Sequence, residues 1–397
     1  MPMVLSMSFA YYLALYHKVP FLRILTLQTT PTRRCIPLGL PNLPFGIGQF
    51  IYWNLVIGGL YGSVHRYDAC WNSEIARLYP RAAHINSTRY QNKDSLPIII
   101  LQSPTLAEAI FKEPEEYFEA RNIFHCGTTV LEEHHQLLRL ESFGGRESFH
   151  QLKSFLNEPN QSTPVYLGWG SMTCRSPEFM AELCARAVHR ARCRAVVVGG
   201  FSAISMEHLE ASNTLEKEVL EYARENILFV TYAPHEWLFP KVAATVHHGG
   251  AGTTTAALRA GKPTIITPVF ADQWDFSRMV RDLNVGVGFD KQFQKISWQE
   301  LGDAICQCTQ DESIIKNATE LGEKLRNENG AKKAKELIED FWEKYGEKGE
   351  FHNHFPGPTT KTTGRRYFLW LGGAVVVGAL GWGVAKIVQP MVSTLRS

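Results

Sequence analysis

The sequence carries almost no net charge. Its 41 Lys and Arg stand against 39 Asp and Glu, a formal balance of +2. A protein-wide field for nucleic acid or another polyanion is therefore excluded. Cysteine is sparse: eight residues in 397, with no CxxC pair. That is too few for a disulfide scaffold, and the close pair Cys306 and Cys308 has no second Cys/His pair beside it. Reduced thiols are expected rather than a zinc site. No internal repeat is present, and the apolar run at the N-terminus lacks the basic leader of a signal peptide. No Walker A loop occurs, since Gly261-Lys262 is followed by Pro263. A full GxGxxG is missing too, and no DxD-type carboxylate pair stands near the glycine-rich segment.

What is present is a globular composition, 45% apolar and 20% charged, with the length of two or three domains. Residues 164–290 alternate short β-branched runs with amphipathic stretches. Strands are expected at 164–169, 195–199, 227–230, 243–247, 264–267 and 285–288. This rhythm predicts an α/β fold with a doubly wound parallel sheet, whose ligands bind beyond the carboxyl ends of the strands. Residues 1–150 are less regular, with strands expected at 19–25 and 96–101 and a proline-containing loop at 40–45. The expected organisation is an N-terminal domain over 1–150, a linker at 151–163, a ligand-binding domain at 164–345 and a flexible tether at 346–366.

Residues 367–385 contain no charge and are bounded by Arg366 and Lys386. That is about the length that crosses ~30 Å of hydrocarbon. A membrane-spanning helix within 367–388 is therefore expected, as a single-pass C-terminal anchor with the main domain facing the cytosol. A weaker apolar run at 46–64 contains Gln49, Asn54 and five glycines and reads as a helix inside a soluble domain. N-x-S/T triplets at Asn86, Asn160 and Asn317 would stay unmodified in that topology.

The sharpest segment runs from Val246 through His247, His248, Gly249, Gly250, Ala251 and Gly252 to Thr253, Thr254 and Thr255. A strand ends at the histidines, a glycine turn follows and a helix begins at the threonines. Glycines let backbone N–H groups approach a phosphate, and a helix start adds unsatisfied donors and partial positive charge. Taken alone, the turn is equally a tight packing of helix on strand. Two other polar clusters follow strands on the same sheet edge: Asp272-Gln273, able to grip vicinal hydroxyls, and Gly168-Trp169-Gly170-Ser171.

Residues 233–288, with the HHGGAGTT turn, the RAGKP stretch and the PVFADQW stretch, strongly resemble the donor domain of GT-B glycosyltransferases that use UDP-sugars, sterol 3β-glucosyltransferases in particular. Residues 19–33 and 52–76 resemble their N-terminal segments. The resemblance implies that His248 touches the UDP phosphates. Gly249, Gly250, Gly252 and Thr253 would cradle the diphosphate, with Thr254 close by. Asp272 and Gln273 would hold sugar hydroxyls, Ser171 would face the nucleotide and Tyr232 would lie near the base. It implies an inverting transfer of a hexose, glucose foremost, from a UDP-sugar to a hydroxyl of a lipid such as a sterol, with no cofactor and no metal. The family's N-terminal glycine turn and acceptor-deprotonating histidine have no counterpart here, so the acceptor domain reads as incomplete and the catalytic residue is unassigned. His17, His65 and His84 do not align with that role. A membrane-anchored UDP-sugar-binding subunit, active only with a second chain, is the other reading left open; an epimerase on the same fold is a third.

Overall fold

The computed structural model describes residues 19–26, 97–130 and 140–351, together with single positions 14, 17, 73, 77, 136 and 137. Two parallel sheets organise them. The smaller has the order β1 (Arg23–Leu25), β2 (Ile98–Ile100), β3 (Ile123–His125). Ile98 lies between Arg23 and Ile123 in register. Between β2 and β3 run α1 (Pro104–Phe111) and α2 (Glu115–Glu119). Helix α1 starts where its sequence permits. Ser103 accepts the Leu106 N–H and Pro104 sits in the first turn; Lys112, at φ 56°, ends it.

After α3 (Arg146–Leu156) come β4 (Val165–Gly168), α4 (Pro177–Ala191), β5 (Ala195–Val198), α5 (Met206–Glu210), α6 (Lys217–Asn226) and β6 (Ile227–Val230). Then follow α7 (His235–Leu238), β7 (Thr245–His247), α8 (Ala251–Arg259), β8 (Thr264–Ile266), α9 (Gln273–Asp282) and β9 (Gly286–Gly288). Helices α10 (Trp298–Gln310), α11 (Glu312–Arg326) and α12 (Gly330–Phe341) complete the described part. The six strands form one parallel sheet in the order β6-β5-β4-β7-β8-β9, the doubly wound arrangement. Each expected strand of this sheet forms, shorter by up to two residues. The sequence reason is visible in α4: Ser176 caps it, Pro177 opens it, and Met180, Leu183, Cys184, Ala187 and Val188 fall on one buried stripe. That stripe packs on Val165, Leu167, Val197 and Val246 in the main core.

The smaller sheet is not an independent body. Ile98, Ile100, Leu106 and Phe111 share a core with Phe276, Met279 and Val280 of α9 and with Ala318 and Leu325 of α11. The anchoring expectation is corrected. Among the described residues no helix is long and apolar enough to cross a membrane, so the single-pass anchor and the localisation built on it are not supported. Residues 367–388 lie outside the described residues, as do those of the 46–64 run. A charge-free run meets the length criterion only. Within the stretch expected to be a tether, Phe351 is buried and meets Phe341 edge-on at 6.0 Å.

Candidate functional site

The strand order reverses between β4 and β7, and the crevice beyond their carboxyl ends is where such sheets take ligands. Three loops converge there. After β4, Gly170 adopts φ +60° and its carbonyl accepts the Phe201 N–H at 3.3 Å. The preceding Trp169 is buried, stacks on Phe293 at 4.8 Å and donates its indole N–H to Thr267 Oγ1 at 2.9 Å. Thr267, just past β8, returns its backbone N–H to the His247 carbonyl at 2.9 Å. The loops after β4, β7 and β8 are thus tied to one another before any ligand arrives. Ser171, expected to face a nucleotide, stands exposed at the cleft wall.

The β7 turn is shaped by close approach. His247 is fully buried and its Nδ1 accepts the Gly249 N–H at 3.0 Å, which leaves the ring proton on Nε2 without a partner. Gly249 adopts φ +91°, and a Cβ there would meet Ile266 Cγ2 at 2.6 Å. At Gly250 a Cβ would meet His248 Nε2 at 2.5 Å. Gly249 therefore requires glycine for packing and for conformation, and Gly250 for packing against the His248 ring. Gly250 caps α8 without a side chain, so the first N–H groups of the helix have no local acceptor. Around Gly252, exposed at the helix start, a Cβ would meet nothing within 4 Å.

The expected hydroxyls divide. Thr253 is half-buried at the mouth. Thr254 is buried and donates its hydroxyl to the Gly250 carbonyl at 2.9 Å. Thr255, inside the segment but given no role there, lines the cleft instead. It lies one residue past the last hydroxyl expected at the site, and only the helical turn reveals it. The His248 ring is half-buried, with Nδ1 unpartnered; burial lowers its pKa to about 4 and keeps it neutral at pH 7. A neutral ring offers one N–H donor rather than a charge.

Past β8, Gln273 is buried and its side-chain carbonyl accepts the N–H groups of Val269 and Phe270 at 2.7 and 3.0 Å. Only its amide N–H₂ remains for another group. Asp272 is half-buried, and burial raises its carboxyl pKa above the ordinary value. Its carboxyl oxygens can accept hydrogen bonds from hydroxyl groups.

A cavity of about 990 Å³ opens at this edge and reaches the carboxyl ends of β1, β2 and β3. Of the nine residues expected from sequence, Ser171 and Gly252 line it; His248, Gly249, Gly250, Thr253, Thr254, Asp272 and Gln273 stand outside its wall. Among its described lining residues there is no lysine or arginine. Residues that the sequence did not single out also line it. His235 has Nε2 at 3.3 Å from the Tyr166 hydroxyl and stacks on Phe239. Burial, then neighbouring His248, lowers its pKa to about 4. Glu236 lies 3.7 Å from Arg259; burial raises its pKa while that arginine opposes the rise. Phe201 is 76% exposed at the rim; Tyr232, which the resemblance had placed near the base, is 45% exposed there.

A doubly wound sheet with a glycine-shaped helix start at its switch point, facing a second parallel sheet across a cleft, defines the GT-B class. Residues 198–341 match the family of erythromycin biosynthesis protein CIII-like C-terminal domains. The chain is 36% identical over 174 residues to a sterol 3-beta-glucosyltransferase of Yarrowia lipolytica, covering 44% of this chain and 11% of that one. It is 38% identical over 172 residues to the Komagataella phaffii enzyme of the same name, covering 43% and 13%. The crystal structure of the kitacinnamycin glycotransferase shares the fold at TM-score 0.57 and 16% identity, over 84% of this chain and 73% of that one. The C-terminal half is thus a GT-B domain homologous to sterol 3-beta-glucosyltransferases, and the chain spans about a tenth of the length of those relatives.

Proposed function

We propose that the protein transfers a hexose, glucose foremost, from a UDP-sugar to the hydroxyl of a lipid acceptor such as a sterol, with inversion. The observation that carries this reading is the uncapped start of α8 behind the Gly249–Gly250 turn. The diphosphate lies against the N–H groups of residues 251–253, with the His248 ring N–H and the Thr253 hydroxyl as further donors. Backbone dipoles hold the negative charge as UDP departs, and they are set before the reaction. Asp272 accepts from sugar hydroxyls and the Gln273 N–H₂ donates to them. Ser171 and Tyr232 lie on the nucleotide side, and the acceptor hydroxyl enters from the β2 and β3 ends. The names of the homologues support a sterol as acceptor.

The test uses the full chain, radiolabelled UDP-glucose and a sterol in detergent. Lipid-extractable steryl glucoside of β configuration is the expected product. Failure to form any glycoside under conditions where UDP binds would overturn the transfer reading.

A further inference from the structure

The cleft wall opposite the nucleotide cradle is built by the ends of β2 and β3. Gln102 and Thr128 line the cavity there. Gln102 is 3% exposed, yet neither its Oε1 nor its Nε2 has a hydrogen-bond partner; the Thr128 hydroxyl is likewise buried and unpartnered. A buried amide with both ends unsatisfied is costly, and native structures rarely leave one without a reason.

The local backbone cannot relax to satisfy it. The Gly127 N–H donates to the Gln102 carbonyl at 3.0 Å, and the Leu101 N–H to the Leu25 carbonyl at 2.7 Å. Ser103 donates to Glu328 Oε1 at 2.7 Å and Thr105 to the same oxygen at 3.1 Å. At Gly127 a Cβ would meet the Gly330 Cα at 3.2 Å, so the start of α12 presses on this strand end. The amide is held at the cleft wall by contacts separated by more than 200 residues in sequence.

An amide donates and accepts at once, and so does a hydroxyl. Leu101, Val130 and Phe276 line the same cavity. This is the chemistry that receives one hydroxyl on an apolar body. We infer that Gln102, with Thr128, is the subsite that hydrogen-bonds and orients the acceptor hydroxyl. The inference rests on the transferase reading and names residues for its acceptor side. A carboxamide is no base at neutral pH, so Gln102 sets alignment and selectivity rather than removing the proton. The Glu328 tie to Ser103 positions it.

The test measures binding to the full chain of cholesterol and of cholest-5-ene, its hydroxyl-free hydrocarbon, so turnover is not needed. The wild type is expected to favour cholesterol about tenfold, the scale of one or two hydrogen bonds. Gln102→Leu removes that preference without changing UDP affinity, and Thr128→Val reduces it. The thermal midpoint of Gln102→Leu stays level or rises, because an unsatisfied amide has been removed. Four results would overturn the inference. The wild type does not bind cholesterol. The preference survives Gln102→Leu. The midpoint falls, which marks a structural amide. UDP-glucose affinity drops while UDP affinity holds, which assigns the subsite to the donor sugar. A retained preference without any glycoside formation would sink the transferase reading alone.

Discussion

The two sheet edges that face each other across the cleft solve recognition by different means. On the six-stranded side the groups proposed to meet the ligand are mostly backbone N–H groups, placed by Gly249, Gly250 and the start of α8 and braced by the Trp169–Thr267–His247 chain. On the three-stranded side they are ordinary side chains, Gln102 and Thr128, left without protein partners. Recognition by backbone needs special residue types at fixed spacing. Recognition by side chain needs one polar residue at a strand end and leaves no pattern behind.

The largest effect that would break this contrast belongs to Gly249→Ala. The added Cβ meets Ile266 at 2.6 Å in a left-handed conformation. The cost is roughly 2–6 kcal/mol, from overpacking and backbone strain of about 1–3 kcal/mol each. Urea denaturation measures it, and UDP affinity is expected to fall by more than a hundredfold. A stable variant that binds UDP normally would show that the turn is not a close-packed cradle.

Thr267→Val comes next. It leaves the buried Trp169 indole N–H without its acceptor, a loss of about 1–3 kcal/mol. The β4 loop is untied while the backbone bond between Thr267 and His247 remains, so UDP affinity drops severalfold in calorimetry while the acceptor preference at Gln102 is unchanged.

Acid sensitivity sharpens the comparison further. Burial lowers the pKa of His235 and His248 to about 4 on the six-stranded side, and that of His125 to about 4 on the other. His247 is lowered as well, first by burial. The unfolded chain titrates these rings near 6.5 and therefore binds more protons between pH 6.5 and 4. Their contribution is complete above about 6.5 and is lost as the pH falls towards 4. The His235→Gln variant should show a shallower decline of urea midpoint across that window than the wild type. An unchanged slope would place His235 in contact with water.

The smallest effect is expected for Thr254→Val. Its hydroxyl is engaged by the Gly250 carbonyl inside α8, so UDP affinity should move by less than about twofold, beneath the roughly 1 kcal/mol of one net hydrogen bond. A larger loss would mean that this hydroxyl leaves the helix for the phosphate.

These contrasts explain what was legible. The six strands of the larger sheet were visible because parallel strands buried on both faces read as β-branched runs, as Ala195–Val198 does. The glycine turn was visible because only glycine fits two of its positions. The direction of each hydroxyl and amide was not. Thr254 turns back into its own helix and Gln273 commits its carbonyl to a loop, outcomes set by local angles rather than residue type. Gln102 escaped notice because nothing in Leu101-Gln102-Ser103 distinguishes it until the strand end is locked in place. The membrane expectation lacks support for a related reason: the length of a charge-free run is a composition signal, and no described helix carries it.

The most direct measurement compares UDP with uridine by calorimetry on the full chain and on Gly250→Val, whose side chain would intrude on His248 Nε2. The wild type is expected to bind UDP at least a hundredfold more tightly than uridine, and the variant to lose that advantage while still binding uridine. Equal affinities in the wild type, or an advantage that survives the substitution, would contradict a diphosphate held by backbone at the start of α8.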